Sequence, residues 1–270
     1  MPELPEVETT VRGLRKVLEG RRLTSVTPRR ADLRRAIPED LGQRLTGARV
    51  TALGRRAKYG LIDTDRGDTL VFHLGMSGRW RIDPEELGKH DHLVIETDDG
   101  HWLSLNDPRR FGSLVLLRTD AVAEWPSFMA IGPEPLGGEV TGKWLMERFA
   151  GRSAAVKLLL LDQRIVAGLG NIYVCEALFG ARIDPRKAAG KVSRKKLDAL
   201  AEAIPAVLTD AIAAGGSSLR DFAAPDGELG YFSKTFDVYG REGEPCGCGG
   251  TVRRIAQGGR STFFCPACQR

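Results

Sequence analysis

The chain has 270 residues, 42% hydrophobic and 28% charged, which excludes a mostly disordered polymer. No apolar run approaches the ~20 residues that a bilayer-spanning helix needs. The Met1-Pro2-Glu3 start lacks the basic segment and apolar stretch of a signal peptide, so a cytosolic enzyme or binding protein is expected. Forty Lys and Arg against 35 acids leave +5, which permits a polyanionic partner without requiring one. The length favours two domains.

From Pro5 to Leu18, Val7, Val11, Leu14 and Leu18 recur at helical spacing, and the pattern stops near Gly20. Short runs of β character follow: Leu23–Val26, Ala48–Leu53, Tyr59–Thr64, Thr69–Leu74, His92–Glu96, Trp102–Leu105 and Ser113–Leu117. Turn segments such as Asp65-Arg66-Gly67-Asp68, Asp98-Asp99-Gly100 and Asn106-Asp107-Pro108 separate them, so 1–130 is expected to form a β-sandwich or barrel behind an N-terminal helix. A Gly- and Pro-rich stretch at 131–139 reads as a linker. Residues 140–215 turn helical. The longest amphipathic pattern runs from Val192 to Ala214 and is expected to break or bend near Pro205. Short strands around cysteines close the chain at 236–270.

Four of the five cysteines fall in the last 25 residues, as Cys246-x-Cys248, 16 residues, then Cys265-x-x-Cys268. Two close thiolate pairs suit one tetrahedral zinc ion with no open position, hence a structural Zn2+ rather than a catalytic one. The first pair is one residue shorter than the usual knuckle. Gly247, Gly249 and Gly250 supply the backbone freedom a tight turn needs there. Cys175 lies in a helical segment and reads as a small buried residue rather than a fifth ligand. Between the pairs, Gly258-Gly259 reads as a hairpin tip from which Arg260 projects. The four histidines, at 73, 90, 92 and 101, form no metal-ligand spacing.

Six blocks carry a resemblance. Met1-Pro2-Glu3-Leu4-Pro5-Glu6-Val7-Glu8-Thr9, Gly54-Arg55-Arg56-Ala57-Lys58-Tyr59 and His73-Leu74-Gly75-Met76-Ser77-Gly78 come first. Asn106-Asp107-Pro108-Arg109-Arg110-Phe111-Gly112, Gly168-Leu169-Gly170-Asn171-Ile172-Tyr173 and Gly259-Arg260-Ser261-Thr262-Phe263-Phe264-Cys265-Pro266 follow. In this order they resemble the bacterial formamidopyrimidine-DNA glycosylase family along the whole chain. The resemblance implies an α+β multidomain fold: an N-terminal β-sandwich with an N-terminal helix (1–130), a linker (131–139), a helix–two-turns–helix DNA-binding domain with a lesion-capping loop (140–232) and a C-terminal zinc-finger β-hairpin (236–270).

It also implies residue roles. Pro2, freed by removal of Met1, would be the nucleophile. An α-amine titrates roughly 2–3 units below a lysine, so more of it is neutral at pH 7. Glu3 would be the acid–base partner of the sugar oxygen, which needs it within ~3 Å or one water. Glu6 reads instead as a helix N-terminal charge that orients the segment. Lys58 matches the phosphate-contacting proton donor for β-elimination, and Arg260 the residue tied to δ-elimination. Met76, Arg109 and Phe111 match side chains that fill the hole left by a flipped base. The flanking glycines and Asp107-Pro108 place them on turns rather than in the core. His73, His90, Arg152, Asn171 and Arg254 are the remaining DNA-binding candidates. The Gly- and Ser-rich stretch 215–232 resembles the capping loop, or is a plain linker.

The implied partner is double-stranded DNA containing oxidised purines or abasic sites. The implied setting is the bacterial cytoplasm at the nucleoid, as a monomer without a membrane. The implied activity is excision of 8-oxoguanine and formamidopyrimidines followed by β,δ-elimination. Two alternatives stand beside it: a sister enzyme preferring oxidised pyrimidines, and a non-catalytic zinc-finger protein that recognises damaged DNA.

Overall fold

The computed structural model describes residues 2–217, 224, 225, 227 and 230–270. The chain divides into two compact units, Met1–Met129 with Ala214–Tyr231, and Ala130–Ala213 with Phe232–Arg270. The division departs from sequence order at one place: 214–231, read above with the helical segment, groups with the N-terminal unit. No helix among the described residues is long and apolar enough to cross a membrane.

The first unit opens with α1 (Leu4–Leu18). Its start is fixed by a capping box, in which Glu3 and Glu6 each accept from the other's backbone N–H, and by a proline in the first turn. Leu4, Val7, Val11, Leu14 and Leu18 are almost fully buried, each contributing about 1.5–3 kcal/mol of burial. Then come β1 (Leu23–Pro28), α2 (Leu41–Leu45), β2 (Val50–Arg56), β3 (Tyr59–Thr64), β4 (Asp68–His73), β5 (Arg79–Ile82), β6 (Asp91–Thr97), β7 (Trp102–Asn106), β8 (Ser113–Arg118) and α3 (Pro126–Met129). The strands form two antiparallel four-stranded sheets, ordered β1-β6-β7-β5 and β2-β3-β4-β8. One core joins them: Leu53, Ile62, Leu70, Phe72 and Leu114 from one sheet meet Trp80, Leu93, Ile95, Leu103 and Leu105 from the other, with α1 and α2 packed in. The alternation read from the sequence locates these strands. It misses the four-residue β5 and the five-residue α2, both too short to show a period.

The second unit contains α4 (Gly142–Phe149), α5 (Val156–Leu160), α6 (Asn171–Gly180), α7 (Arg194–Ala213) and the hairpin strands β9 (Arg253–Gln257) and β10 (Arg260–Phe264). Thr141 caps α4 by accepting from the Trp144 N–H at 3.1 Å. Both α4 and α6 pack against α7, and α6 also meets β10. Of the break or bend expected near Pro205, the break is absent. α7 runs through it, with Leu200, Ile204 and Leu208 buried on either side. Packing of that face offsets the one backbone hydrogen bond that proline removes. The second unit thus supplies a helical domain and a zinc-finger β-hairpin.

Candidate active site and metal centre

Pro2 and Glu3 are both buried at the head of α1. Glu6 is tied on two sides: Oε2 accepts from the Glu3 N–H at 2.8 Å, and Oε1 accepts from the N–H and hydroxyl of Ser217, each at 2.9 Å. These bonds fix the direction in which the chain's first residues leave the helix. α1 packs on β2 and β3, and the Arg55 guanidinium donates to the Glu8 carboxylate at 3.1 Å across that contact. The tight β2–β3 turn carries Lys58, buried behind Ala57, which takes the left-handed conformation at φ +52°.

His73 ends β4 directly opposite Tyr59, with ring centroids 4.8 Å apart. Its Nδ1 accepts from the Gly75 N–H at 3.0 Å. Burial, then the positive charges of Lys58 and Arg34, lower its pKa to about 4, so the ring is neutral at pH 7.

Met76 lies half-buried in the β4–β5 turn, while Arg109 and Phe111 lie exposed in the β7–β8 turn. The Arg109 guanidinium sits 4.9 Å from the Phe111 ring centre. Asp107 fastens the two turns together. It is fully buried. Its Oδ1 accepts from the Ser77 hydroxyl at 2.7 Å, and Oδ2 from the Gly112 N–H at 2.8 Å. The Ser77 Oγ in turn accepts from the Arg109 N–H at 3.2 Å. The turns also touch through backbone. Gly75 has φ +62°, and a Cβ there would lie 2.3 Å from the Phe111 carbonyl carbon. His90 is half-buried and holds the far side, its carbonyl accepting from the Asp107 N–H at 2.9 Å.

In the second unit, Asn171 opens α6 and its amide donates to the Ser261 carbonyl at 2.8 Å. Lys157, fully buried, donates to the same carbonyl at 3.0 Å and to the Thr262 hydroxyl at 2.6 Å. Together they hold β10 behind Arg260, which starts the strand, exposed, after Gly258 and Gly259. Both glycines have positive φ, +55° and +72°, as a two-residue hairpin turn needs. Arg152 is exposed in the loop after α4. Arg254 is exposed and ion-paired to Glu242 at 2.6 Å. The sequence reading did not single out Lys157. A lone lysine inside Val156-Lys157-Leu158-Leu159-Leu160 is the signal that was available. Of the capping-loop segment 215–232, residues 218–223, 226, 228 and 229 lie outside the described residues.

The four cysteines converge: all their Sγ atoms lie within 4.8 Å of one another. Cys246 and Cys268 are 3.9 Å apart, and Cys248 and Cys265 3.6 Å. Tetrahedral Zn–S bonds of about 2.3 Å require sulfur separations of about 3.8 Å. A Cβ on Gly250 would lie 3.0 Å from the Cys265 sulfur and 2.7 Å from the Ala267 Cβ, so the short first pair works because nothing occupies that space. The Gly250 N–H helps lower the Cys248 thiol to about 7, and Gln269 braces the second knuckle, its Oε1 accepting from the Cys265 N–H at 2.8 Å. The donor set fits one structural Zn2+. Cys175 is buried in α6 and belongs to the adjoining apolar cluster, outside the ligand set.

Three family models match this chain in succession: the formamidopyrimidine-DNA glycosylase N-terminal domain over residues 1–114, its H2TH domain over 131–223, and the zinc finger found in FPG and IleRS over 243–270. With the sandwich, the helices and the four-cysteine hairpin in this order, the fold defines a zinc-finger DNA-repair glycosylase. Formamidopyrimidine-DNA glycosylases of Novosphingobium aromaticivorans and Rhizorhabdus wittichii are 69% and 66% identical, each over the whole of both chains. A Lactococcus lactis FPG variant in complex with Fapy-dG-containing DNA superposes with a TM-score of 0.92 at 36% identity, covering both chains fully. The same protein with abasic-site DNA gives 0.92 and 36%, and with oxidised-pyrimidine DNA 0.91 and 35%, again over both full chains. The chain belongs to the formamidopyrimidine-DNA glycosylase family.

Proposed function

We propose that this protein is a bifunctional DNA glycosylase and AP lyase that excises oxidised purines from double-stranded DNA through a covalent intermediate on Pro2. The observation that carries the reading is the Pro2-Glu3 pair, buried at the capped head of α1 in a chain of this family. Once Met1 is removed, the Pro2 nitrogen is a secondary amine. Its lone pair attacks the sugar C1′, and the glycosidic bond breaks with its electrons leaving on the base. The nitrogen passes its proton to the departing base, its freed lone pair then opens the sugar ring as the C1′–O4′ bond breaks, Glu3 protonates O4′, and a cationic iminium remains. That cation acidifies the C2′ proton. Losing it expels the 3′ phosphate, and a second elimination expels the 5′ phosphate.

Lys58 is assigned to the proton traffic of the first elimination and Arg260 to the second. His73, neutral and with Nδ1 accepting from Gly75, carries its proton on Nε2 and is suited to donate one hydrogen bond to the DNA backbone without adding charge. Met76, Arg109 and Phe111 are assigned to the space vacated by the flipped nucleotide. His90, Arg152, Asn171 and Arg254 are assigned to the backbone, and Arg254 would exchange its Glu242 partner for phosphate. The functional division follows as 1–130 for chemistry, 131–139 as linker, 140–232 for DNA binding and 236–270 as the zinc finger. The protein works as a monomer in the bacterial cytoplasm, at the nucleoid.

Single-turnover excision on matched duplexes tests the reading. 8-Oxoguanine is expected to be released well ahead of thymine glycol, with strand cleavage leaving phosphate on both sides of the gap. Faster release of thymine glycol would transfer the assignment to oxidised pyrimidines. Binding without cleavage of an abasic strand would exclude an enzyme.

A further inference from the structure

The connection from β1 to α2 carries Arg29, Arg30, Arg34 and Arg35, none of which the reaction above employs. We propose that Arg34 and Arg110 form a further backbone-binding site that takes a DNA phosphodiester beside the residues assigned to the flipped-base void. The site rests on the DNA-repair reading and adds a contact to it.

The loop is built, not loose. Leu33 and Ile37 are buried in the sandwich core. The Leu33 N–H donates to the Arg35 carbonyl at 2.9 Å, and the Ile37 N–H to the Ala31 carbonyl at 2.8 Å. The Arg34 N–H donates to the Gly112 carbonyl at 3.1 Å, joining the loop to the turn that carries Arg109 and Phe111. Arg34, Arg109, Arg110 and Phe111, with Asp32 and Leu33, line one cleft of about 410 Å³.

The charge balance of this cleft is one-sided. Three guanidiniums face one carboxylate, and that carboxylate is already held by Arg30 at 2.7 and 3.0 Å. Among the described residues, Arg34 and Arg110 make no ion pair, and both are exposed. Other arginines of the unit are engaged with acids or carbonyls, as Arg55 is with Glu8, Arg81 with Asp91 and Arg66 with the Thr46 carbonyl. Like charges gathered without counter-charge repel one another, and an anion entering the cleft relieves that cost. A guanidinium fork matches two phosphate oxygens at once. The fields of Arg34 and Arg35 also reach Tyr59, and that of Arg34 reaches His73, so the cations adjoin the Lys58–His73 end of the sheet.

Salt dependence of binding tests the site. The probe is a fluorescent duplex with a tetrahydrofuran abasic analogue, titrated at several NaCl concentrations. Each phosphate contact contributes about 0.9 to the slope of log K against log salt. Arg34→Ala and Arg110→Ala are each expected to flatten the slope in part, the double variant by about 0.9, the share of the one phosphodiester, and Arg34→Lys to keep most of it. Because these side chains are exposed, melting is expected to stay at the wild-type midpoint, which separates lost contact from lost fold. A double variant with the wild-type slope overturns the site while leaving the DNA-repair reading intact. A wild-type protein with no salt-dependent binding to the probe overturns both.

Discussion

Asp107→Asn tests whether the base-void residues act as one positioned set. Asp107 accepts two hydrogen bonds on separate oxygens, from Ser77 in one turn and from Gly112 in the other. Asparagine has the same shape but one acceptor oxygen, so its NH2 must face one of the two donors. A lost hydrogen bond to a buried charged group costs about 1.5–3 kcal/mol. At about 1.4 kcal/mol per factor of ten, the joined arrangement of the turns falls at least about tenfold. The assay is single-turnover excision of 8-oxoguanine from a duplex, set against nicking of an unpaired abasic strand, which needs no void filled. The ratio of the two rates is expected to fall about tenfold or more, and Ser77→Ala, which also unlinks the Arg109 N–H, to move it the same way. Equal losses on both substrates, or no loss on either, would refute the reasoning. If Met76→Ala and Phe111→Ala leave the ratio unmoved, the void-filling assignment itself fails.

His73 makes stability depend on pH. Its folded pKa lies near 4 against an ordinary 6.5, so the unfolded chain binds the extra proton between those values. Stability is therefore expected to be full above about pH 6.5 and to fall as pH drops towards 4, by no more than about 3 kcal/mol. Denaturant melts of wild type and His73→Phe across that window should differ in slope, and parallel curves would contradict the account. Metal analysis should find one zinc per chain; a strong chelator should remove it and lower the melting midpoint of the hairpin-bearing unit, an effect that Cys248→Ser should reproduce, and metal-free protein of unchanged stability would count against the site. Glu176 accepts the N–H groups of Asp237, Val238 and Tyr239 at 2.8–3.1 Å, and burial raises its pKa. Glu176→Ala is expected to cost about 1–3 kcal/mol, since the buried Val238 N–H and two part-buried donors lose their acceptor, and to speed hydrogen exchange at 237–239; wild-type exchange there would refute it.

Features set by local spacing were readable from the sequence. The helix at the start, most strands, the hairpin tip and the zinc ligands each follow from residue type at short intervals. The fastening of the β4–β5 turn to the β7–β8 turn was not, because Ser77 and Asp107 are distant in sequence and meet only when β5 and β7 pair. Glu176 and Lys157 escaped for the same reason: their partners lie near the cysteines, far along the chain. Pro205 does not break α7, because a buried face that is not visible in the sequence outweighs its local cost. Residues 214–231 group with the first unit through contacts such as Ser217 with Glu6 and Pro225 with Ile82, which no composition shift announces.

The nucleophile is the point on which the account depends most. Mature protein lacking Met1 should be incubated with 8-oxoguanine duplex and borohydride, and the adduct located by peptide mass. The account predicts a reduced DNA adduct on the Pro2 nitrogen, abolished when an uncleaved residue is left ahead of it. An adduct on a lysine, or full trapping with that terminus blocked, would contradict it.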